Sequence, residues 1–170
     1  MPILAIRTFP DPVLSQVCQP VETVARPLLE LAESMAETMY AAPGIGLAAP
    51  QVGQPINLVV IDTARGEERG TPLFLFNPRI VEASGETAFE EGCLSVPDYT
   101  ADVVRSDRVV VQAQDREGRP ISLEAQGLMA ICLQHELDHL VGRLFLDRIS
   151  PLKRALYRKR RLKQLKKAAE

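Results

Sequence analysis

Residues 127–141, GLMAICLQHELDHLV, place apolar Leu128, Ile131, Leu133, Leu137 and Leu140 at helical intervals with no internal glycine or proline. The spacing predicts a helix, and because apolar residues fall on more than one side of it, a helix packed inside a domain. Working outward, residues 27–40 repeat the pattern with Leu28, Leu31, Ala32, Met35 and Met39, opened by Pro27 and closed by Pro43 and Gly44. Between the two helices, the short apolar runs 56–61 and 73–76 read as strands, and 109–114 with 121–124 flank a turn-like DREGRP as a hairpin. Ser150 and Pro151 then start a basic helix that reaches about Lys167. The expected class is α+β: small mixed or antiparallel sheets around a central helix, with a basic helix at the C-terminus.

A chain of 170 residues, 46% apolar and 25% charged, suits one domain with its own core. We divide it into a catalytic domain over 1–150 and a C-terminal basic helix over 151–170 that belongs to the same single domain. No run approaches the ~20 apolar residues that span a bilayer, and the opening MPILAIRTFPDP lacks a basic start and a long apolar stretch, so the expected location is cytoplasmic. Three widely spaced cysteines, Cys18, Cys93 and Cys132, do not make a disulfide framework and leave a thiol for chemistry. Charge is segregated. Residues 1–150 carry eleven arginines, no lysine and twenty-one acids, a net −10, whereas the last twenty carry nine basic residues against Glu170, a net +8. Any affinity for polyanions therefore belongs to the tail.

The chain has two histidines, His135 and His139, framed as His-Glu-Leu-Asp-His. Four residues apart on a helix, both imidazoles project from one face and can reach one metal ion, with Glu136 beside them to handle a proton from an activated water. The bland alternative is a surface helix with two coincidental histidines, but its flanks are too apolar for that. A structural zinc site would need close cysteine pairs, which are absent. A catalytic site needs a third protein ligand. Cys132 shares the helical face but lies about 10 Å along the axis from His139, too nearly in line to surround one ion. Cys18, in SQVCQP, reads as a small buried apolar residue. Cys93, in the strand-like EEGCLSVP, can approach the helix from another side and is the third ligand we expect.

Three stretches, GIGLAAPQ at 44–51, EGCLS at 91–95 and QHELDH at 134–139, resemble in order the signature motifs of bacterial peptide deformylases, and the resemblance runs over essentially the whole chain. It implies hydrolysis of the N-formyl group from N-terminal formylmethionine by a metal-activated water. Cys93, His135 and His139 would hold the metal and Glu136 would be the acid and base. The Gln51 side chain and the Leu94 backbone N–H would stabilise the oxyanion, with Gly46 grouped with them. By the same resemblance Gly44, Ile45, Phe89, Glu91, Leu128, Ile131 and Cys132 meet the substrate. For Ile45, Phe89, Leu128, Ile131 and Cys132, which would form the methionine pocket, spacing alone allows plain core packing equally well. The implied ion is Fe²⁺ in the cell, with Zn²⁺ or another divalent metal in isolated protein. The glycines of GIGLAAPQ also fit a relaxed dinucleotide fingerprint with Asp62 downstream, but that motif must follow a strand and open a helix, and here it follows a helix and meets Pro50.

The chain departs from the family at Asp98 and Thr100, where members often carry glycine and a larger basic or aromatic residue; both positions bear on the substrate beyond methionine. Family members of this length also carry a basic C-terminal helix that docks near the ribosomal exit tunnel, which makes formylated nascent peptides and the ribosome the expected partners. On charge pattern alone the tail reads as a solvated face outside the catalytic machinery. Two rivals remain open: a general HExxH metallopeptidase with a carboxylate third ligand, and a non-enzymatic RNA-binding module with a structural metal.

Overall fold

A computed structural model describes all 170 residues. Three helices run over Arg26–Ala41 (α1), Gly127–Leu140 (α2) and Pro151–Ala168 (α3). The strands are Gly46–Ala48 (β1), Leu58–Ile61 (β2), Leu73–Ser84 (β3), Thr87–Cys93 (β4), Val96–Arg105 (β5), Arg108–Gln114 (β6) and Pro120–Gln126 (β7). They form a five-stranded sheet in the order β1-β2-β3-β6-β7 and a two-stranded sheet β4-β5, antiparallel throughout. The α+β class stands, with the sheets antiparallel rather than mixed.

The continuous apolar run of β2 has a simple cause: both of its faces are covered. Val59 and Ile61 pack with Ala130, Cys132, Leu133 and Leu140 of α2, while Leu58 and Val60 pack with Ala32, Met35, Ala36 and Met39 of α1. The sheet is thus sandwiched at this end, and each fully buried side chain of this size contributes roughly 1.5–3 kcal/mol. The central helix starts without a connecting loop, because Gly127 takes φ +59°, a conformation glycine adopts without strain, directly after β7. No helix is long and apolar enough to cross a membrane.

Two expectations fell short on length. β3 continues to Ser84 although the sequence reading stopped it before Pro78; a bulge between Phe76 and Arg79 absorbs the proline, with Asn77 at φ +50° and its side chain bonded to Val21 and Gln114. The hairpin β4-β5 was legible only as a strand-like EEGCLSVP, because its residues are polar on the exposed face and give no long apolar run. This hairpin packs on a smaller core of Val96, Val103, Leu14, Leu144, Phe145, Leu146 and Tyr157.

Tyr157 also corrects the reading of the tail. It is 3% exposed, and its hydroxyl donates to the Pro97 carbonyl at 3.3 Å. Around it, Arg160 donates to the Asp98 carbonyl (2.9 Å) and Arg161 to the Phe9 carbonyl and Thr8 Oγ1 (both 3.1 Å). Arg154 pairs with Asp147 at 3.0 Å and Arg158 lies over the Phe9 ring. All four tail arginines therefore face the body. The five lysines, Lys153, Lys159, Lys163, Lys166 and Lys167, are exposed and have no side-chain bond to it. α3 is therefore anchored to the body through Tyr157 and its arginines, while most of its surface stays solvated.

Candidate active site

Helix α2 brings His135 and His139 to one face, and the tip of the β4-β5 hairpin brings Cys93 to meet them. Their ligand atoms all lie within 4.8 Å of one another, and Cys93 Sγ is 3.5 Å from His139 Nε2. That separation is close to the roughly 3.6 Å edge that a tetrahedral ion would impose from metal–nitrogen and metal–sulfur distances of about 2.05 and 2.3 Å. One thiolate with two imidazoles suits Zn²⁺ or Fe²⁺. Two buried polar atoms beside the site, Glu136 Oε2 and His139 Nδ1, have no partner in the protein, and the first of them is where a water would complete the arrangement. The donor set and the unpaired carboxylate oxygen fit a metal with an open position.

The ring of His135 is oriented from behind. Its Nδ1 is 2.8 Å from Glu91 Oε1, and Arg105 grips the same carboxylate through Nε and Nη2, each at 2.8 Å. Burial alone would raise the Glu91 carboxyl, but the bonds from Arg105 and His135 hold it below the usual range, so it is ionised and can only accept. A His135 proton therefore sits on Nδ1, which leaves Nε2 as the atom that can face a metal. Burial pushes His135 down, yet the bonds to Cys93 and Glu91 raise it well above an ordinary histidine, so a cation entering the site replaces a proton. His139 is held well below its ordinary value, first by burial and then by the neighbouring His135, and is neutral. The sequence reading placed Glu91 among substrate contacts. Its carboxylate is engaged with His135 and Arg105, which makes it a positioning group for His135, and the residue also lines the cavity.

That cavity, about 340 Å³, is lined by every expected site residue except His139, which lies behind it at 1% exposure. Ile45, Phe89, Leu128, Ile131 and Cys132 make an apolar wall, with Ile45 and Phe89 at the exposed rim. Pro43 and Gly92 also line it and were not anticipated; neither carries a chemical group that a motif search would single out. Burial raises the Cys132 thiol well above normal, and its Sγ points to the Ile45 carbonyl at 3.8 Å, so it is a neutral wall residue. Gln51 is 1% exposed and fixed at both ends: Oε1 accepts from the Ala48 N–H (2.9 Å), and Nε2 donates to Ser95 Oγ (3.1 Å) and reaches Cys93 Sγ at 3.6 Å. Ser95, fully buried and within the EGCLS motif, was quoted in the sequence but given no role.

Gly46 is explained by close approach. A Cβ there would fall 2.6 Å from Glu136 Oε1 and 2.9 Å from Cys132 Sγ, so β1 can pass over the carboxylate only as glycine. At Gly44 a Cβ would meet Leu94 Cδ1 at 3.0 Å. Asp98, the departure noted above, adopts φ +59°, the left-handed region in which glycine is unstrained and aspartate is tolerated. Asp62 bonds to Tyr40 Oη and the Gly70 N–H, which makes it an anchor for its loop.

The model of the polypeptide deformylase family matches residues 3–155. A peptide deformylase of Syntrophobacter fumaroxidans is 48% identical over 168 residues, 99% of each chain, and one of Mesorhizobium japonicum is 51% identical over 171 residues, 100% of this chain and 95% of the relative. Among solved structures, a peptide deformylase from Legionella pneumophila superposes with a TM-score of 0.89 at 45% identity, covering 96% of this chain and 97% of that one. One from Ehrlichia chaffeensis in complex with actinonin superposes at 0.91 and 40% identity, covering 96% and 98%.

Proposed function

The chain belongs to the polypeptide deformylase family, and from that premise we propose how its own residues carry out the reaction. It is a metal-dependent hydrolase that removes the formyl group from the N-terminal formylmethionine of new proteins. The observation that carries the reading of its site is the convergence of Cys93, His135 and His139 beside a buried glutamate at the floor of an apolar cavity.

Cys93, His135 and His139 hold the ion, Fe²⁺ in the cell and Zn²⁺ or another divalent metal in isolated protein. Bound there, such an ion would supply Lewis acidity and lower the pKa of an adjacent water. Glu136 takes a proton from that water and delivers it to the leaving amine. Burial holds its carboxyl up at about 7, near the pH at which a group can both accept and return a proton, and a cation alongside draws it down. Gln51 Nε2 and the Leu94 backbone N–H donate to the oxyanion. Losing one such donor typically costs about 2.7–4 kcal/mol of barrier. The methionine side chain lies against Ile45, Phe89, Leu128, Ile131 and Cys132, with Gly44 at the rim, and the location is cytoplasmic. Formate release from formyl-Met-Ala-Ser under anaerobic conditions, with metal analysis of the same sample, tests the whole reading. Turnover should track metal content, and fully metallated protein that releases no formate would overturn it.

Gly46→Ala should keep its metal and lose about 10²-fold in turnover, because the new methyl displaces the Glu136 carboxylate by a fraction of an ångström or more. Turnover within twofold of wild type would show that β1 yields instead of Glu136.

For the tail, we propose ribosome association near the exit tunnel through the lysines of α3. Since the arginines bind the body and the lysines do not, replacing Lys153, Lys159, Lys163, Lys166 and Lys167 by alanine lowers the tail's charge from +8 to +3 without touching its packing. Sedimentation with ribosomes should weaken for the variant, and for the wild type should fall steeply with added salt. Activity on short peptides should be unchanged in the variant. Equal sedimentation of both proteins would make this face merely solvated.

A further inference from the structure

Behind the proposed metal ligands, the row of charged groups does not end at Arg105. The guanidinium that grips Glu91 also donates through Nη1 to Asp138 Oδ2 at 2.7 Å, and Asp138 receives Arg148 through Nε at 2.5 Å and Nη2 at 2.7 Å. Side-chain exposure rises along the row, from 3% at Glu91 and 1% at Arg105 to 10% at Asp138 and 37% at Arg148. The charges alternate, negative, positive, negative, positive, so the row is neutral only with Arg148 in place. Without it, two buried carboxylates share a single guanidinium, and the share drawn towards Asp138 is lost to Glu91. Glu91 is the group that orients His135. An independent contact points the same way: Arg148 closes the short 3₁₀ turn Phe145–Arg148, whose Phe145 ring stacks on His135 with centroids 6.2 Å apart and planes at 27°. The placement of this turn therefore reaches His135 by two routes, one polar and one apolar.

We propose that Asp138 and Arg148 are positioning residues that set the orientation of His135 through Arg105, Glu91 and Phe145, and thereby how firmly the metal is held. Neither side chain lines the substrate cavity. The inference rests on the ligand reading given above. The alternative is an ion pair that only ties α2 to the turn.

Full-length enzyme loaded with Co²⁺ separates the two. For wild type, Arg148→Ala, Arg148→Lys, Asp138→Asn and Cys93→Ala, the measurements are the rate of metal transfer to a chromogenic chelator, the visible spectrum, kcat and KM on formyl-Met-Ala-Ser, and the thermal midpoint. Arg148→Ala should release metal several-fold to about 10-fold faster, at or below the 10–100-fold typical of a group bonded directly to a ligand. Its spectrum should shift and kcat should fall while KM holds. Arg148→Lys should recover most of the retention, since an ammonium still neutralises Asp138 although the two-point grip is lost. A lower thermal midpoint with metal release, spectrum and kcat as in wild type would overturn the proposal. Should Asp138→Asn fail to fold, the two Arg148 variants decide alone, because that side chain is over a third exposed. If Cys93→Ala keeps its metal, the ligand reading itself has failed; if it loses metal while Arg148→Ala behaves as wild type, only this proposal has.

Discussion

Purified Cys93→Ala should contain almost no metal and release almost no formate, and His135→Ala and His139→Ala should do the same. Three protein ligands are the minimum for a catalytic site with an open fourth position, and two do not retain the ion. Without it the reaction loses several kcal/mol of charge stabilisation, and at 1.36 kcal/mol for each tenfold the fall should exceed about 1000-fold. The three variants differ in what else they disturb. His139 is 1% exposed and its removal opens a cavity in the core, whereas Cys93 sits at a hairpin tip, partly exposed, and is the cleanest test. Metal analysis alongside formate release separates loss of ligation from loss of fold, with the thermal midpoint as control. Full metal occupancy in Cys93→Ala would refute the assignment and favour the rival in which a carboxylate is the third ligand.

Glu136→Ala should behave in the opposite way, keeping its metal while turnover drops by about 10²–10⁴-fold, the usual contribution of a positioned acid and base. Near-normal turnover would end the mechanism proposed for it. The same substitution makes a prediction about stability. The carboxyl is raised to about 7 chiefly by burial, so the folded metal-free protein binds its proton more tightly than the unfolded chain does. Such a group costs no stability below the ordinary carboxyl range and costs progressively more as pH rises through the window up to about 7. Metal-free Glu136→Ala should therefore gain thermal stability over wild type as pH is raised from 4.5 to 7, and little at the acid end. Parallel pH–melting curves check it; a gain confined to acid pH would show that burial is not what disfavours this carboxylate.

The helices were the most legible part of the fold. Residues 127–141 and 27–40 were expected and Gly127–Leu140 and Arg26–Ala41 are observed, because an apolar stripe every three or four residues is written locally. Strands fared worse where their burial is not local. Pro78 hid the far half of β3, since nothing in its neighbourhood announces that Asn77 will turn left-handed and anchor to Val21. The tail was read as a solvated face because only its charge was visible; its arginines and Tyr157 find partners in Thr8, Phe9, Pro97 and Asp98, more than fifty residues away in the chain.

By itself the sequence determined the face shared by His135 and His139, with Glu136 beside it, since an interval of four on a helix sets it whatever the rest of the chain does. It also made Cys93 the thiol to expect there. What only the tertiary structure decided is how those groups are held: Glu91 turned to the back of His135, Gly46 pressed against Glu136, Ser95 pinning Gln51, and Arg105 drawing Asp138 and Arg148 into line. These pairs join strands, helix and turn at separations no periodicity spans, and their geometry follows from the register of β4 against β5, the packing of that hairpin on the Phe145–Arg148 turn and its polar bonds to α2. A side chain's direction across such a contact is fixed by the whole packed arrangement, because close packing leaves each group one place to go.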